Sequence, residues 1–556
     1  MNHKSGKLRE AIDRIRGAVE DLKKSVDAKN AKPPEPPEPP EPIVVPPSKP
    51  LHRITLNEFI PALVIGSGYG GAVAALRLAE EGIPTVVLER GKRWPITPQQ
   101  DTFATFEKPD GRAAWLSEHT VWPPVLPPVP IAKFVGNFEA IKGEGITVFN
   151  GAGVGGGSLI NNAILIQPRR ELFQRVFPKA IDFDEMDQVY YPRVRGIIKP
   201  APIPDDVLNT PFYESTRVNF EQYKRAGFPL RPIDLAIDWD IVREEIAGTK
   251  KPSAIDGQVW GGYNSGAKKS VDQNYLALAE ATGVVEVLPL HIVIDIEEFS
   301  PLGGYLVSAN RIDEHGDILE KRNFVCKFLF LAAGSTGTSS LLVRAKAKGT
   351  LPKLNKFVGQ EWASNGDFVF LRAGLPITKP GQGGPAGNVI VEDFGNPFGP
   401  VSLVEAVTPK PAVANLPPGA SFYIVMGAPP ALGAFRFDSA TDSVILNWPA
   451  SDPRLANLTS AAQRTSQILN EKNTDAGSHP ATLVLDPSGT GHPLGGAALG
   501  SVCDWFGRVK RYPGLYVVDG AFIPGWTGIV NPALTIAALA ERSMERIIER
   551  DILSGR

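Results

Sequence analysis

The sequence predicts an α/β fold: a doubly wound sheet assembled from separated stretches of chain, with an α+β domain inserted between them. Three observations carry this. Pro61–Glu89 reads as strand, glycine turn, helix and strand in immediate succession. Val284–Glu298, Phe324–Ala333 and Leu515–Val518 read as further apolar strands that rejoin the first. Between them, residues 346–484 alternate short strands with Pro/Gly turns, which suggests a separate sheet.

Ala62–Ile65 is short, apolar and β-branched, as a buried strand requires. Gly66-Ser67-Gly68-Tyr69-Gly70-Gly71 follows in the spacing G-x-G-x-x-G. Gly66 permits the tight turn, Gly68 lets a backbone approach a pyrophosphate, and Gly71 lets helix pack on strand. Ala72–Glu81 is rich in Ala, Leu and Arg and reads as that helix, with Gly82 as its stop. Pro84–Leu88 is the second strand, and Glu89 ends it with a carboxylate able to accept from a ribose hydroxyl. Diphosphate oxygens fit the free amides at the helix N-terminus. The whole unit signals a dinucleotide, without choosing between NAD and FAD.

The chain has 556 residues, enough for two or more domains. Lys+Arg total 58 against 60 Asp+Glu, so nothing draws it to nucleic acid. Two cysteines, Cys326 and Cys503, cannot build a disulfide framework, and no Cys/His cluster suggests a metal. No apolar run reaches membrane-spanning length and no secretory leader is visible, so the expected location is cytoplasmic.

Residues 1–32 carry Leu8, Ile12, Ile15, Val19, Leu22 and Val26 in steps of four and three. That stripe fits an amphipathic helix packed on its own body, or a short coiled coil for self-association or a partner. Residues 33–51 are a Pro/Glu-rich spacer. The expected nucleotide-binding domain is discontinuous, over 52–200, 275–345 and 485–556. The substrate domain is expected over 201–274 and 346–484. Residues 93–135, rich in Pro, Trp and Phe, read as an irregular loop.

Three more segments sharpen the reading: Gly151–Ile164 (GAGVGGGSLINNAI), Gly491–Gly496 (GHPLGG) and Tyr516–Glu541. With the first motif they resemble the glucose-methanol-choline (GMC) oxidoreductases, and within that family the FAD-dependent cholesterol oxidases. The resemblance covers most of residues 60–550 and includes Lys268–Asp272, Phe330–Arg344 and Leu351–Asn355. It implies FAD. It sets Tyr69 and Gly70 at the diphosphate, Glu89 at the adenosine ribose and Val293 at adenine. Gly157, Asn161, Asn162 and Ile164 lie along the flavin, and Asp519 and Gly520 near the ribityl chain. Family members often carry Gly and Met in place of Asn162 and Ile164. Ile160 stands where some relatives carry a flavin-linking histidine, so noncovalent FAD is expected.

Alcohol oxidation by a flavin needs a group that takes the hydroxyl proton, and a neutral imidazole suits it. His492 lies between glycines that admit a substrate; His479, in GSHPAT, lacks them. Asn531 precedes Pro532 and a helical run, a good cap on local grounds. The resemblance sets this helix start against the flavin, with the Asn531 amide on the substrate hydroxyl or flavin. The loop Gly525–Asn531 is one residue longer than is usual in the family. Glu405, within the apolar run VSLVEAVT, should have a raised pKa. The resemblance makes it the base that moves a steroid double bond from Δ5 to Δ4.

The expected activity is oxidation of a bulky apolar alcohol, foremost a 3β-hydroxysterol, with isomerisation and reduction of O2 to peroxide. Transient membrane contact for substrate uptake goes with such a substrate. The alternatives are a GMC dehydrogenase serving a quinone or protein acceptor, and a non-enzymatic flavin-fold protein; His492 and Asn531 argue against the last. No G-x-S-x-G elbow supports a hydrolase.

Overall fold

In the computed structural model the described residues are 59–122, 126–299, 303–379, 381–385, 389–413, 416, 419–474, 480–484 and 489–554. The expected N-terminal helix, the Pro/Glu spacer and His479 lie outside them.

β1 (Phe59–Ile65) is central to a seven-stranded sheet. Ala62, Leu63 and Val64 are fully buried, as in a parallel strand covered on both faces. β2 (Thr85–Leu88) and β6 (Val285–Leu288) continue in parallel on one side. β9 (Ile318–Leu331) lies on the other. Its last residues pair in parallel with β1 and with β18 (Leu515–Val517). Its first half pairs antiparallel with β8 (Gly304–Ile312), which pairs with β7 (His291–Phe299). The sheet is thus parallel at its centre and antiparallel in one wing.

α1 (Tyr69–Glu80) connects β1 to β2. It starts three residues before the expected Ala72, because Gly70 and Gly71 are themselves helical. α5 (Ala533–Ile547) packs against α1 and continues into a wider π-type turn, Ile548–Leu553. Arg77 of α1 pairs with buried Glu541 of α5 at 2.6 Å, and Tyr275 donates to the same carboxylate at 2.8 Å. A buried charge set this way needs its partner, so the pair fixes how the two helices meet.

A second, wholly antiparallel sheet has six strands. In spatial order they are β16 (Ala481–Val484), β10 (Phe368–Ala373), β13 (Ser421–Met426), β12 (Val401–Ala406), β11 (Val389–Asp393) and β5 (Leu230–Pro232). One face packs Phe370, Val391, Leu403 and Val425 against α2 (Glu214–Ala226) and α4 (Ala456–Lys472). The other face presents Val404, Ala406, Phe422, Ile424 and Met426, which join the main core. A hairpin, β14 (Ala434–Asp438) with β15 (Ser443–Asn447), lies beside α3 (Gly334–Lys348).

A small sheet positions the chemistry. β3 (Phe138–Lys142) pairs antiparallel with β4 (Thr147–Gly151), and β17 (Gly489–Thr490) joins β4 in parallel. Because β4 and β17 run the same way, the glycine cluster after β4 and the Gly491-His492 turn after β17 leave at the same end.

Candidate active site

The nucleotide cradle is built from backbone. A Cβ on Gly66, Gly70 or Gly71 would come within 2.3 Å of a carbonyl oxygen, so these positions are filled by close packing. Gly68 differs: a Cβ there meets only Gly156 Cα, at 3.9 Å. Added Cβ atoms at Gly157 and Gly491 meet nothing. The cradle therefore opens at Gly68, Gly157 and Gly491. Buried Glu89 accepts from the Ser67 amide and hydroxyl at 3.1 and 2.7 Å and from the Gly91 amide at 2.9 Å. Burial pushes its carboxyl above the ordinary range, against those hydrogen bonds. His291 at the start of β7 donates its amide to the Glu89 carbonyl, which brings half-buried Val293 to the same end of the sheet.

The segment Gly157–Ile164 runs along the cradle. Asn161 Nδ2 donates to the Tyr69 hydroxyl at 2.9 Å, tying the segment to α1. Asn161 Oδ1 accepts from the Ala163 amide at 3.0 Å and supports the kink there, where Ala163 has φ 57°. Ile164 is buried. The Asn162 Oδ1 atom is buried without a partner among the described residues. Asp519 caps the turn Gly520–Phe522 by accepting from the Ala521 amide at 2.8 Å, and takes the Thr338 hydroxyl at 2.5 Å. Burial raises its carboxyl to about 6. The Gly520 carbonyl accepts from the Gly495 amide, so this turn also holds the GHPLGG segment.

Three side chains form one chain of hydrogen bonds. Asp367 Oδ1 accepts from His492 Nδ1 at 2.8 Å, and Asn531 Nδ2 meets His492 Nε2 at 3.1 Å. A carboxylate only accepts, so Nδ1 carries the proton and Nε2 presents its lone pair. The second Asp367 oxygen takes the Thr490 hydroxyl at 2.8 Å and the Gly491 amide at 3.2 Å. Asp367 is thus clamped by the turn that carries His492. Asn531 Oδ1 is buried and has no partner among the described residues. The expected cap does not form: Pro532 is the helix cap residue, and the Asn531 side chain serves His492 instead. The preceding Ile529 is held at φ 58°, uncommon for a β-branched residue, and its carbonyl accepts from Ser402.

His492 and Asn531 meet; Glu405 does not join them. Val401, Leu403 and Glu405 alternate onto the helix-covered face of the second sheet, and Ser402, which touches the Ile529 loop, points the other way. Glu405 accepts from Ser215 and Asn219 of α2 at 2.9 and 2.8 Å. Asn219 in turn takes the Tyr423 hydroxyl, and fully buried Arg372 donates to Tyr423 at 3.2 Å. Burial raises the Glu405 pKa, as expected, but in a network beneath the sheet. Asp367 is the residue that reading the sequence missed. Its one local signal is its position at a Gly-Asp turn directly before an apolar strand.

Open glycine space and two orphaned amide oxygens suit a flat, polar ligand, and the residues present fit FAD. Residues 62–96 match the family model described as FAD binding domain, and residues 433–540 the one described as GMC oxidoreductase. A cholesterol oxidase of Acinetobacter baumannii is 26% identical, aligned over 89% of this chain and 95% of that protein. A cholesterol oxidase of Mycobacterium tuberculosis is 27% identical over 86% and 90%. Among solved structures, a fungal aryl-alcohol oxidase has a similar fold, with TM-score 0.61 and 14% identity over 89% of this chain and 99% of that one. Pyridoxine 4-oxidase from Mesorbium loti gives TM-score 0.60 and 14% identity over 88% and 99%. The matched segments and the near full-length relatives together support an FAD-dependent oxidoreductase of the GMC type acting on CH–OH groups, on a fold shared with the solved oxidases.

Proposed function

We propose that the protein oxidises the hydroxyl of a bulky apolar alcohol, with a 3β-hydroxysterol as leading substrate and dioxygen as electron acceptor. The observation that carries this is the Asp367–His492–Asn531 chain. A substrate hydroxyl entering between His492 and Asn531 donates its proton to Nε2 and accepts from the Asn531 amide. One hydrogen bond is exchanged for two, and the proton lands on a ring already oriented by Asp367. Bound FAD supplies the hydride acceptor. The sheet face with Val404, Phe422, Ile424 and Met426 lies in the main core beside the loop that delivers Asn531, so the surroundings of the site are apolar. The cholesterol oxidase relatives point to a sterol. Buried, apolar Ile160 offers no atom for a flavin link, so the FAD is noncovalent. Isomerisation would need a base on the apolar face, and Glu405 lies behind it, so no isomerisation base is assigned.

The test is a panel of sterols and other alcohols on purified holoprotein, with O2 as sole acceptor. Sterol-dependent flavin bleaching with matching peroxide supports the reading. Bleaching by other alcohols alone overturns the substrate. Bleaching without peroxide favours a dehydrogenase.

A further inference from the structure

Among the described residues, Lys268 is a buried ammonium without a counter-charge. It is 4% exposed, and among the described residues no carboxylate pairs with it. Its Nζ donates to the carbonyls of Leu159 at 3.0 Å, Asn161 at 2.6 Å and Val259 at 3.2 Å. Three N–H donors meet three acceptors, so the group is satisfied only as an ammonium. A buried, unpaired charge is costly, and a neutral side chain would serve mere packing at less cost.

Two of the three carbonyls belong to the segment that runs along the cradle. The same stretch of chain grips that segment again, where the Val271 amide donates to Ser158 Oγ at 3.0 Å. Behind it is a cavity lined by Trp94, Tyr263, Lys268 and Asp272. In this cavity Trp94 Nε1, Tyr263 Oη and Asp272 Oδ1 have no partner among the described residues. The backbone of the segment is therefore gripped by Lys268 beside this small cavity.

We propose that Lys268 is a positioning residue: its ammonium sets the Leu159–Asn161 backbone against FAD, and so governs FAD affinity and the flavin's electronic surroundings. This rests on Gly157–Ile164 facing the flavin. Burial brings the Lys268 pKa down to about 7. As pH rises through that value, the ammonium becomes an amine with two N–H groups, and one carbonyl loses its donor. The titratable groups facing it are Tyr263, which burial pushes well up, and Asp272, which burial raises and the Arg93 charge lowers. Leu159, Asn161 and Val259 add none.

The test measures FAD dissociation constants by flavin fluorescence on reconstituted protein between about pH 6.5 and 9, with flavin absorption spectra and potentials. Lys268→Met should weaken FAD by about 10–100-fold at the low end, as loss of charge-assisted hydrogen bonds does, and shift the flavin bands. The parent should bind FAD more weakly as pH rises through about 7. Asp272→Asn should keep that step. Lys268→Arg, charged throughout, should bind without it. Parental affinity, spectrum and potential in Lys268→Met would overturn the proposal. Should that variant not fold, a parent whose affinity ignores pH overturns it equally. Gly157→Val tests the underlying reading separately: undiminished FAD binding there means the segment does not face the flavin.

Discussion

Asp367 and His492 are 125 residues apart in sequence and 2.8 Å apart in space. The contact fixes which ring nitrogen carries the proton, and so which one can take another. Asp367→Asn turns an acceptor into a group that can also donate to Nδ1, favouring the wrong tautomer. Flavin reduction should slow by about 10²–10⁴-fold, the usual contribution of a positioned base, with FAD content unchanged. Stopped-flow bleaching under anaerobic conditions measures it; parental bleaching would remove Asp367 from the mechanism.

His492 and Asn531 should behave as one unit. Each alanine variant should slow flavin reduction by about 10²–10⁴-fold. The double variant should be little worse than the poorer single, because groups that share one hydroxyl are not additive. Full additivity in the double-mutant cycle would mean that they act separately.

Gly68 and Gly70 should fail differently. A Cβ at Gly68 enters open space, so Gly68→Val should fold and bind no FAD. A Cβ at Gly70 would be 1.8 Å from the Val518 carbonyl, so Gly70→Ala should disturb the packing of α1 itself. Circular dichroism, melting and flavin content separate the two. A yellow Gly68→Val protein would misplace the cradle.

Glu405 should matter for stability before catalysis. Glu405→Gln keeps an acceptor for Ser215 and Asn219 and should leave the ratio of products unchanged. Glu405→Ala orphans both donors and should cost about 1–3 kcal/mol per buried group left unpaired. Chemical denaturation and product chromatography check this. Selective loss of a conjugated Δ4-3-ketone in Glu405→Gln would return Glu405 to the chemistry.

Asp519 gives the protein an acid-side signature. Its folded pKa, about 6, lies above the ordinary 3.8. Between these values the folded state holds a proton that the unfolded state has lost. Its contribution is therefore fully present below 3.8 and is lost as pH rises through about 6. Relative to Asp519→Asn, the parent should lose stability from about pH 4 to 6.5 and then run level. Urea midpoints with excess FAD report the difference; a parent that gains stability relative to Asp519→Asn as pH rises from about 4 to 6.5 would reverse the sign.

What could be read from sequence was what is local. The turn Gly66–Gly71, Glu89, the cluster at 151–157 and His492 announce themselves by spacing within a few residues. Asp367 does not, because its partner is set by the parallel pairing of β17 with β4 and by the antiparallel second sheet. The face that Glu405 takes was hidden for a related reason. Every residue of Val401–Ala406 is buried, so alternation of polarity cannot reveal which face is which. Asn531 before Pro532 looks like a cap by propensity, yet a tertiary contact with His492 claims its side chain.

The loop that delivers Asn531 is stitched to the second sheet's own elements. Asn365 donates to the Val530 carbonyl at 2.9 Å and accepts from the Thr527 amide at 3.0 Å, while Ser402 holds Ile529. The two lobes are therefore not interchangeable parts. A chimera that imports a relative's whole six-stranded sheet severs these stitches and moves the amide away from His492. Single substitutions that leave Asn365 and Ser402 in place keep that amide where it is, so this architecture diversifies residue by residue and resists the exchange of whole modules.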